Sequence, residues 1–376
     1  MYFDNAATTK ISKSVLQAMT EAMEQYYANP SSLHSMGHEA EKQLKQARGI
    51  IAQTMDCAPK NIVFTSGGTE SNNMALLGVA LRHQKRGRTI ITSQIEHPSV
   101  ANAAKKLEQM GFTVQYLPTR PDGQTDADAL KAMLTPEATL VSVMGVNNET
   151  GVLQDTEKIY AIAKANGSIF HCDMVQGFGR LEKPAQHADV VSINGHKIHG
   201  PKGIGALYIR DGILLDPLIC GGGQEQNLRS GTENMPGIAG FAAAAQEMET
   251  NRVQYNAHTS MLCMQLRDAV QKDIPDCTIH GQNTAPHIVN ISFLGVKSEV
   301  LLHTLESYDI MVGAGSACSS HKPQPSPTLT AMGCSKAEID SSIRFSFSYT
   351  NTTKQVDRCI EILKQQVPFL RKYVRK

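Results

Sequence analysis

Short apolar runs alternate with stretches of helical periodicity across the first two thirds of this 376-residue chain. Between most of these runs, apolar residues recur at three- and four-residue spacing, as they do at Ala40, Leu44, Ala47 and Ile51. Strands that are separated by helices predict a mostly parallel sheet covered on both faces. The candidate strands are residues 62–65, 89–93, 113–117, 139–144, 168–172, 190–194 and 205–209.

The last quarter of the chain has a different pattern. Residues 287–293 and 341–347 predict strands, and residues 298–306 predict a helix. In the final helical stretch, Thr352 and Gln355 have the spacing of a capping box. Because short strands and helices are mixed here without a regular βαβ order, we expect a smaller α+β domain.

The predicted organisation is therefore a large α/β domain with a seven-stranded, mostly parallel sheet and an appended smaller domain. A long helical stretch after Asn234 leads away from the large domain. We place the large domain at residues 16–257 and the small one at residues 1–15 and 258–376.

Composition and charge exclude several classes of protein. Lys and Arg number 36 and Asp and Glu number 35, so we expect no broad electrostatic binding to nucleic acid or to a membrane. No apolar run approaches the roughly 20 residues of a membrane-spanning helix. The N-terminus lacks the basic and apolar segments of a secretory signal. The eight cysteines are scattered without the close pairs of zinc sites, so we expect a reduced, cytoplasmic protein without a metal.

Ligands of open parallel sheets bind at the carboxyl ends of the strands, so the residues that follow each predicted strand are the candidates for a binding site. Residues 62–65 are followed by Ser66, Gly67, Gly68 and Thr69 and then by a helical pattern. A glycine-rich turn that opens a helix directs free N–H groups and the positive end of the helix dipole at an anion. The same residues also suit a tight strand-to-helix turn with no ligand.

Three further strand ends carry groups with more than one interpretation. Asp173 follows residues 168–172, where it either caps a helix or pairs with the protonated ring nitrogen of pyridoxal phosphate. Lys197 follows residues 190–194 among glycines, and a desolvated lysine there can form a Schiff base. His97 follows residues 89–93 and either stacks on a planar ring or is a polar loop residue.

The order of these groups is more specific than any one of them. A phosphate turn, a His, an Asp and a Lys, each at a strand end, form the layout of fold-type I pyridoxal-phosphate enzymes. The chain resembles the class V aminotransferase-like cysteine desulfurases, the branch that includes the nitrogen-fixation and housekeeping iron–sulfur enzymes. The resemblance extends from residue 3 to residue 346. It is strongest in TSGGTESNN (65–73), GHKIHGPKGIGALY (195–208) and GSACSS (315–320).

The resemblance implies a role for each cofactor-binding residue. Lys197 should hold pyridoxal phosphate as a Schiff base and move protons at the substrate α-carbon. Asp173 should pair with the ring nitrogen, Gln176 with the ring hydroxyl oxygen, and His97 should stack on the ring beside Asn148. The phosphate should be held by Gly68, Thr69, Asn194, His196 and, from the neighbouring subunit of a homodimer, Thr232.

The resemblance also implies a substrate and a nucleophile. Arg344, helped by Asn29, should bind the carboxylate of L-cysteine, a task that suits the bidentate guanidinium group. Cys318 should take the sulfur as a persulfide and release alanine. Because the thiolate is the attacking form, His97 should also act in catalysis by helping to deprotonate Cys318. A transaminase or selenocysteine lyase of the same fold, or a non-catalytic protein that binds pyridoxal phosphate, are the alternatives, and the transaminase has no need of Cys318.

The sulfur acceptor expected from the resemblance is a protein. The chain stops at RKYVRK, without the longer C-terminal tail through which housekeeping enzymes engage their iron–sulfur scaffold. A tRNA-thiolation enzyme is therefore as good an expectation for the acceptor as an iron–sulfur scaffold.

Overall fold

The computed structural model describes residues 1–183, 185–314 and 325–373 and contains a large and a small sheet. The large sheet has seven strands: β1 (Ile62–Thr65), β2 (Thr89–Ser93), β3 (Thr113–Leu117), β4 (Ala138–Ser142), β5 (Ile169–Asp173), β6 (Val190–Asn194) and β7 (Gly205–Ile209). Their order is β1-β7-β6-β5-β4-β2-β3, and β7 runs antiparallel to both of its neighbours. The predicted mostly parallel sheet is confirmed. Five of the predicted strands have the predicted bounds, whereas β4 begins one residue and ends two residues early and β5 is displaced by one residue.

Helices cover both faces of this sheet. Alternate strand residues point to opposite faces, so that Phe64 and Val141 pack in one core while Val63 and Leu140 pack in another. Both sets are fully or almost fully buried, as expected for a parallel sheet between helical layers. The helices up to the end of the large sheet are α1 (Lys13–Gln25), α2 (Ser35–Met55), α3 (Gly68–His83), α4 (Pro98–Gln109), α5 (Ala127–Met133) and α6 (Thr156–Ala165).

The small sheet is antiparallel, in the order β10-β11-β9-β8, with β8 (Cys277–His280), β9 (Ile288–Phe293), β10 (Gly313–Ala314) and β11 (Ser342–Ser346). The predicted strands near 287–293 and 341–347 are confirmed as β9 and β11, but β8 and the two-residue strand β10 were not predicted. Its helices are α8 (Ser298–Glu306), α9 (Pro327–Ala331), α10 (Lys336–Asp340) and α11 (Thr353–Arg371). The capping box of Thr352 and Gln355 is present at the start of α11.

The N-terminal segment joins the small sheet. Tyr2 bridges to Met311 and Asp4 bridges to Ser346, and Phe3 packs edge-on against Phe347 with ring centroids 5.0 Å apart. A single long helix, α7 (Met235–Asp273), connects the two sheets.

The predicted division into domains falls inside α7. The first part of this helix, up to Met248, packs in the core of the large sheet. The second part, from Leu262 onward, packs in the core of the small sheet. This change of partner supports the division at 257/258, which stays a prediction. Within the described residues, no helix is both long enough and apolar enough to cross a membrane.

Candidate active site

A cavity of about 270 Å³ lies where β4, β5 and β6 end and where β11 approaches them. Parallel strands bring their carboxyl ends to one edge of the sheet, which is why groups far apart in sequence converge there. The predicted residues that line this cavity are Gly68, Thr69, His97, Asn148, Asp173, Gln176, Asn194, His196, Lys197 and Arg344.

Three predicted residues are not brought to this cavity in the described part of the chain. Asn29 is exposed and its Oδ1 accepts a hydrogen bond from the backbone N of Ser31 at 2.9 Å, and its predicted assistance to Arg344 stays a prediction. Thr232 is also exposed, and its predicted role in the neighbouring subunit stays a prediction. Cys318 lies outside the described residues.

Lys197 reaches the cavity from a single 3₁₀ turn, Gly195–Lys197, that directly follows β6. Its Nζ donates to the carbonyl oxygens of Ala6 and Ala7, both at 2.7 Å. Gln176 Nε2 also donates to the Ala6 carbonyl, at 2.8 Å. The N-terminal segment therefore orients both side chains, although the sequence analysis assigned Ala6 and Ala7 no part in the site.

A hydrogen-bonded chain joins Asp173 to His97. Asp173 is buried at the end of β5, and its Oδ1 accepts from the backbone N of Val175 at 3.0 Å while Oδ2 accepts from Asn72 Nδ2 at 2.7 Å. Asn72 Nδ2 also donates to Ser99 Oγ at 2.8 Å, and Ser99 Oγ lies 2.8 Å from His97 Nδ1. Sequence reasoning missed Asn72 and Ser99. The available signal for Asn72 was its position one helical turn after Gly68, on the same face of α3.

Burial controls the charge of the groups in this cavity. It lowers the pKa of His97, an effect that Asp173 partly opposes and Lys197 reinforces. Burial, helped by the Lys197 charge, also lowers the pKa of His196 to about 4. Glu96, immediately before His97, is buried, and this raises its pKa to about 8 even though Ser93 Oγ and the Met144 backbone N donate to it. The lowered pKa values mean that the imidazoles of His97 and His196 are predominantly neutral at neutral pH.

The N-terminus of α3 lies at one end of the cavity. Gly67 caps this helix with φ of 149°, and a Cβ on Gly68 would lie 2.8 Å from Val175 Cγ2, so both positions favour glycine. Asn194 Oδ1 accepts from the backbone N of His196 at 3.4 Å, which leaves its Nδ2 facing Gly68. A wider volume of about 440 Å³ adjoins this end and is lined by Thr69, His196 and Lys202 among others.

Arg344 enters from the small sheet, on β11. Its Nη1 donates to the Asn148 carbonyl oxygen at 2.8 Å and its Nη2 to Asp4 Oδ1 at 2.7 Å. Arg344 as a whole is 8% exposed, and its Nε is buried with no hydrogen-bond partner among the described residues. Gly313, paired with Arg344 across the sheet, leaves room for the guanidinium, because a Cβ there would lie 2.9 Å from Nη2.

The sequence model of the aminotransferase class-V family matches residues 1–359 of this chain. The chain belongs to that family. A cysteine desulfurase from Nostoc sp. is 42% identical over 379 residues, which cover 99% of this chain and 94% of that protein. Two solved structures are similar: a NifS-like protein (TM-score 0.92, 34% identity, 98% of this chain and 99% of that one) and SspA in complex with cysteine (TM-score 0.81, 35% identity, 92% and 98%). The expected fold-type I transferase fold is confirmed.

The arrangement combines an amine, a carboxylate, neutral imidazoles, a guanidinium group and an anion-binding turn. Such a set can hold a planar, phosphorylated ring and an amino-acid carboxylate side by side. Membership of the aminotransferase class-V family and the geometry of the cavity are therefore both consistent with chemistry on an amino acid.

Proposed function

We propose that this protein is a pyridoxal-phosphate-dependent cysteine desulfurase, which converts L-cysteine to L-alanine and leaves the sulfur as a persulfide on Cys318. The observation that carries this proposal is the convergence of Lys197, Asp173, His97 and Arg344 on one cavity. Its near-full-length relative from Nostoc sp. is a cysteine desulfurase, and the similar SspA structure holds cysteine. These similarities support cysteine as the substrate.

The residues of the cavity fit pyridoxal phosphate by the chemistry of their donors and acceptors. Gly68, whose position leaves no space for a Cβ, would place backbone N–H groups of α3 on the phosphate, together with Thr69, Asn194 and His196. Asp173 would pair with the ring nitrogen, Gln176 with the ring hydroxyl oxygen, and His97 would stack on the ring. When bound, this cofactor acts as an electron sink for the substrate α-carbon.

The chain's own residues divide the remaining tasks. Arg344 binds the substrate carboxylate through its guanidinium group, and Asn148, which already accepts from Nη1, fixes the orientation of that group. Lys197 Nζ accepts the proton from the α-carbon and returns it there. The Cys318 thiolate attacks the substrate sulfur, so that an S–S bond forms and the Cβ–S bond breaks. The electron pair stays with the carbon fragment, which is protonated at Cβ to alanine.

The described residues on either side of Cys318 support its assignment. Gly313 and Ala314, which precede its segment, pair with Arg344 and Ile343 of β11. Ser326, which follows it, donates to the buried carboxylate of Glu149, next to the Asn148 whose carbonyl binds Arg344. One flank therefore pairs with Arg344 itself, and the other contacts the residue next to Asn148.

The test compares alanine and sulfide formation from L-cysteine, with a thiol reductant present, in the wild type and in Cys318→Ala. We expect the variant to retain the visible absorbance of its bound cofactor and to form neither product. Cys220→Ala is the matched control, because Cys220 is an exposed free cysteine that does not line the cavity, and it should behave as wild type. Equal activity of the wild type and Cys318→Ala would instead favour transamination or selenocysteine cleavage, which are separated by supplying a keto acid or selenocysteine.

We also propose a homodimer and a protein acceptor for the sulfur. Thr232 does not reach the cavity of its own chain, which leaves it available to the phosphate end of a neighbouring subunit. A dimer by light scattering, with weaker cofactor retention in Thr232→Ala, is the expected result.

The acceptor, an iron–sulfur scaffold or a tRNA-thiolation enzyme, is identified by following radiolabelled sulfur from cysteine to each of these two proteins. The cytoplasmic location stays a prediction.

A further inference from the structure

His97 has a structural role that restricts its chemistry. It is the N-cap of α4, and its Nδ1 accepts the backbone N–H of Ser99 at 3.2 Å. The Ser99 hydroxyl oxygen lies 2.8 Å from the same nitrogen. A backbone N–H can only donate, so Nδ1 must present its lone pair. In the neutral ring the proton then lies on Nε2.

The direction of the second contact follows from Asp173. A carboxylate only accepts, and here both of its oxygens accept, one from the Val175 backbone N and one from Asn72 Nδ2. The amide of Asn72 is thereby oriented with Nδ2 toward Asp173 and toward Ser99. Since Nδ2 donates to Ser99 Oγ, the hydroxyl hydrogen of Ser99 remains free to donate to His97 Nδ1.

We propose that Ser99 is a positioning residue that holds neutral His97 in the tautomer with its proton on Nε2. Two donors from one residue, the backbone N–H and the hydroxyl, are aimed at Nδ1, and Asp173 sets the direction of the second through Asn72. Neutral His97 therefore presents an N–H donor to the cavity and does not accept a proton there. Because neutral His97 does not accept a proton in the cavity, proton transfer at the substrate α-carbon is left to Lys197. This consequence rests on the proposed desulfurase function.

The tautomer is measured by nitrogen-15 NMR of the full-length protein with labelled histidine, with His97→Asn used to assign the signal. In the wild type we expect Nδ1 at the shift of an unprotonated ring nitrogen and Nε2 at that of a protonated one. Ser99→Ala removes one of the two donors and should move the tautomer ratio by roughly fivefold toward protonated Nδ1. Ser99→Thr keeps the hydroxyl and should restore the wild-type ratio.

The control is Ser335→Ala, which removes a helix-capping hydroxyl from α10, away from the cavity, and should leave the His97 shifts unchanged. A protonated Nδ1 in the wild type, or an unchanged ratio in Ser99→Ala, would overturn the proposal. Alanine formation by the same preparations tests the consequence, with kcat reduced several-fold and KM unchanged in Ser99→Ala and both restored in Ser99→Thr. Failure of the wild type to form alanine would contradict the proposed function and leave the tautomer measurement unaffected.

Discussion

The two sides of the cavity are built in different ways. On the side of the large sheet, Gly68, His97, Asp173 and Lys197 each lie at a strand end or within four residues of one. On the opposite side, Arg344 of the small sheet pairs with Asp4, which is 340 positions away in the sequence. Each group on the first side is therefore placed by its position after a strand, whereas the group on the second side is placed by contacts between the small sheet and the N-terminal segment.

This difference indicates that the two sides have separate functions, one in chemistry and one in substrate binding. The strand-end side presents the amine, the carboxylate and the imidazole that would contact the cofactor, so substitutions there should affect chemistry. The opposite side presents the guanidinium group, so substitutions there should affect substrate binding. Gln176 joins the two sides, because its Nε2 donates to the Ala6 carbonyl and its Oε1 lies 3.4 Å from His287 Nε2.

The largest effect is expected at Lys197, on the strand-end side. Lys197→Ala should abolish alanine formation and the visible absorbance of the bound cofactor, because no other amine is held by the Ala6 and Ala7 carbonyls within the described residues. Lys197→Arg keeps the positive charge without the amine and should fail equally. Retention of absorbance and turnover in either variant would contradict the assignment of the cofactor.

A smaller effect is expected at Arg344, on the opposite side. Arg344→Ala should raise KM for L-cysteine by roughly 100-fold with little change in kcat. The reason is that the variant loses a charge-assisted, bidentate interaction of a few kcal/mol with the substrate carboxylate. Arg344→Lys keeps the charge but loses the paired geometry, so its KM for L-cysteine should lie between those of the wild type and Arg344→Ala. An unchanged KM would mean that the carboxylate is bound elsewhere and that this side has no binding role.

Glu96 tests whether a buried carboxyl on the strand-end side lowers the free energy of unfolding at neutral pH. Its pKa is raised by burial from 4.5 to about 8, so the folded protein binds this proton more tightly than the unfolded chain. Its contribution to the free energy of unfolding is thus fully present below pH 4.5 and is lost as the pH rises toward 8. The slope approaches about 1.4 kcal/mol per pH unit within that window.

Glu96→Gln replaces the titrating carboxyl with a neutral amide that can still accept from Ser93 and Met144. Urea denaturation across the pH window should show a stability that falls less steeply with pH in the variant than in wild type. Parallel curves for the two proteins would show that the buried carboxyl does not titrate between pH 4.5 and 8.

The smallest effect is expected far from either side, in the capping box of α11. Thr352→Ala removes the hydroxyl that accepts from the Gln355 backbone N at 3.3 Å and should lower the free energy of unfolding by about 1 kcal/mol. The kinetic constants should not change, because neither residue lines the cavity. An altered KM would mean that the small sheet transmits distant perturbations to Arg344, which would weaken the proposed separation of functions.

The sequence alone was sufficient for the large sheet and for the groups at its strand ends. Strand periodicity and the residues that follow each strand are local properties, and parallel strands necessarily gather their carboxyl ends at one edge. For this reason His97, Asp173 and Lys197 could be predicted together. The short strand β8 was not predicted, because its four residues, CTIH, contain too few apolar positions to show a period.

The tertiary structure alone decided how these groups are held. Asn72 reaches Asp173 across 101 positions, and the Ala6 and Ala7 carbonyls reach Lys197 across about 190. Nothing in the local pattern at residues 6, 7 or 72 specifies such partners, because hydrogen bonds between distant segments depend on how the packed elements meet. Which of these groups line the cavity was thus determined by the sequence, whereas their orientation, and the hydrogen-bond partners of His97 Nδ1, depended on the fold.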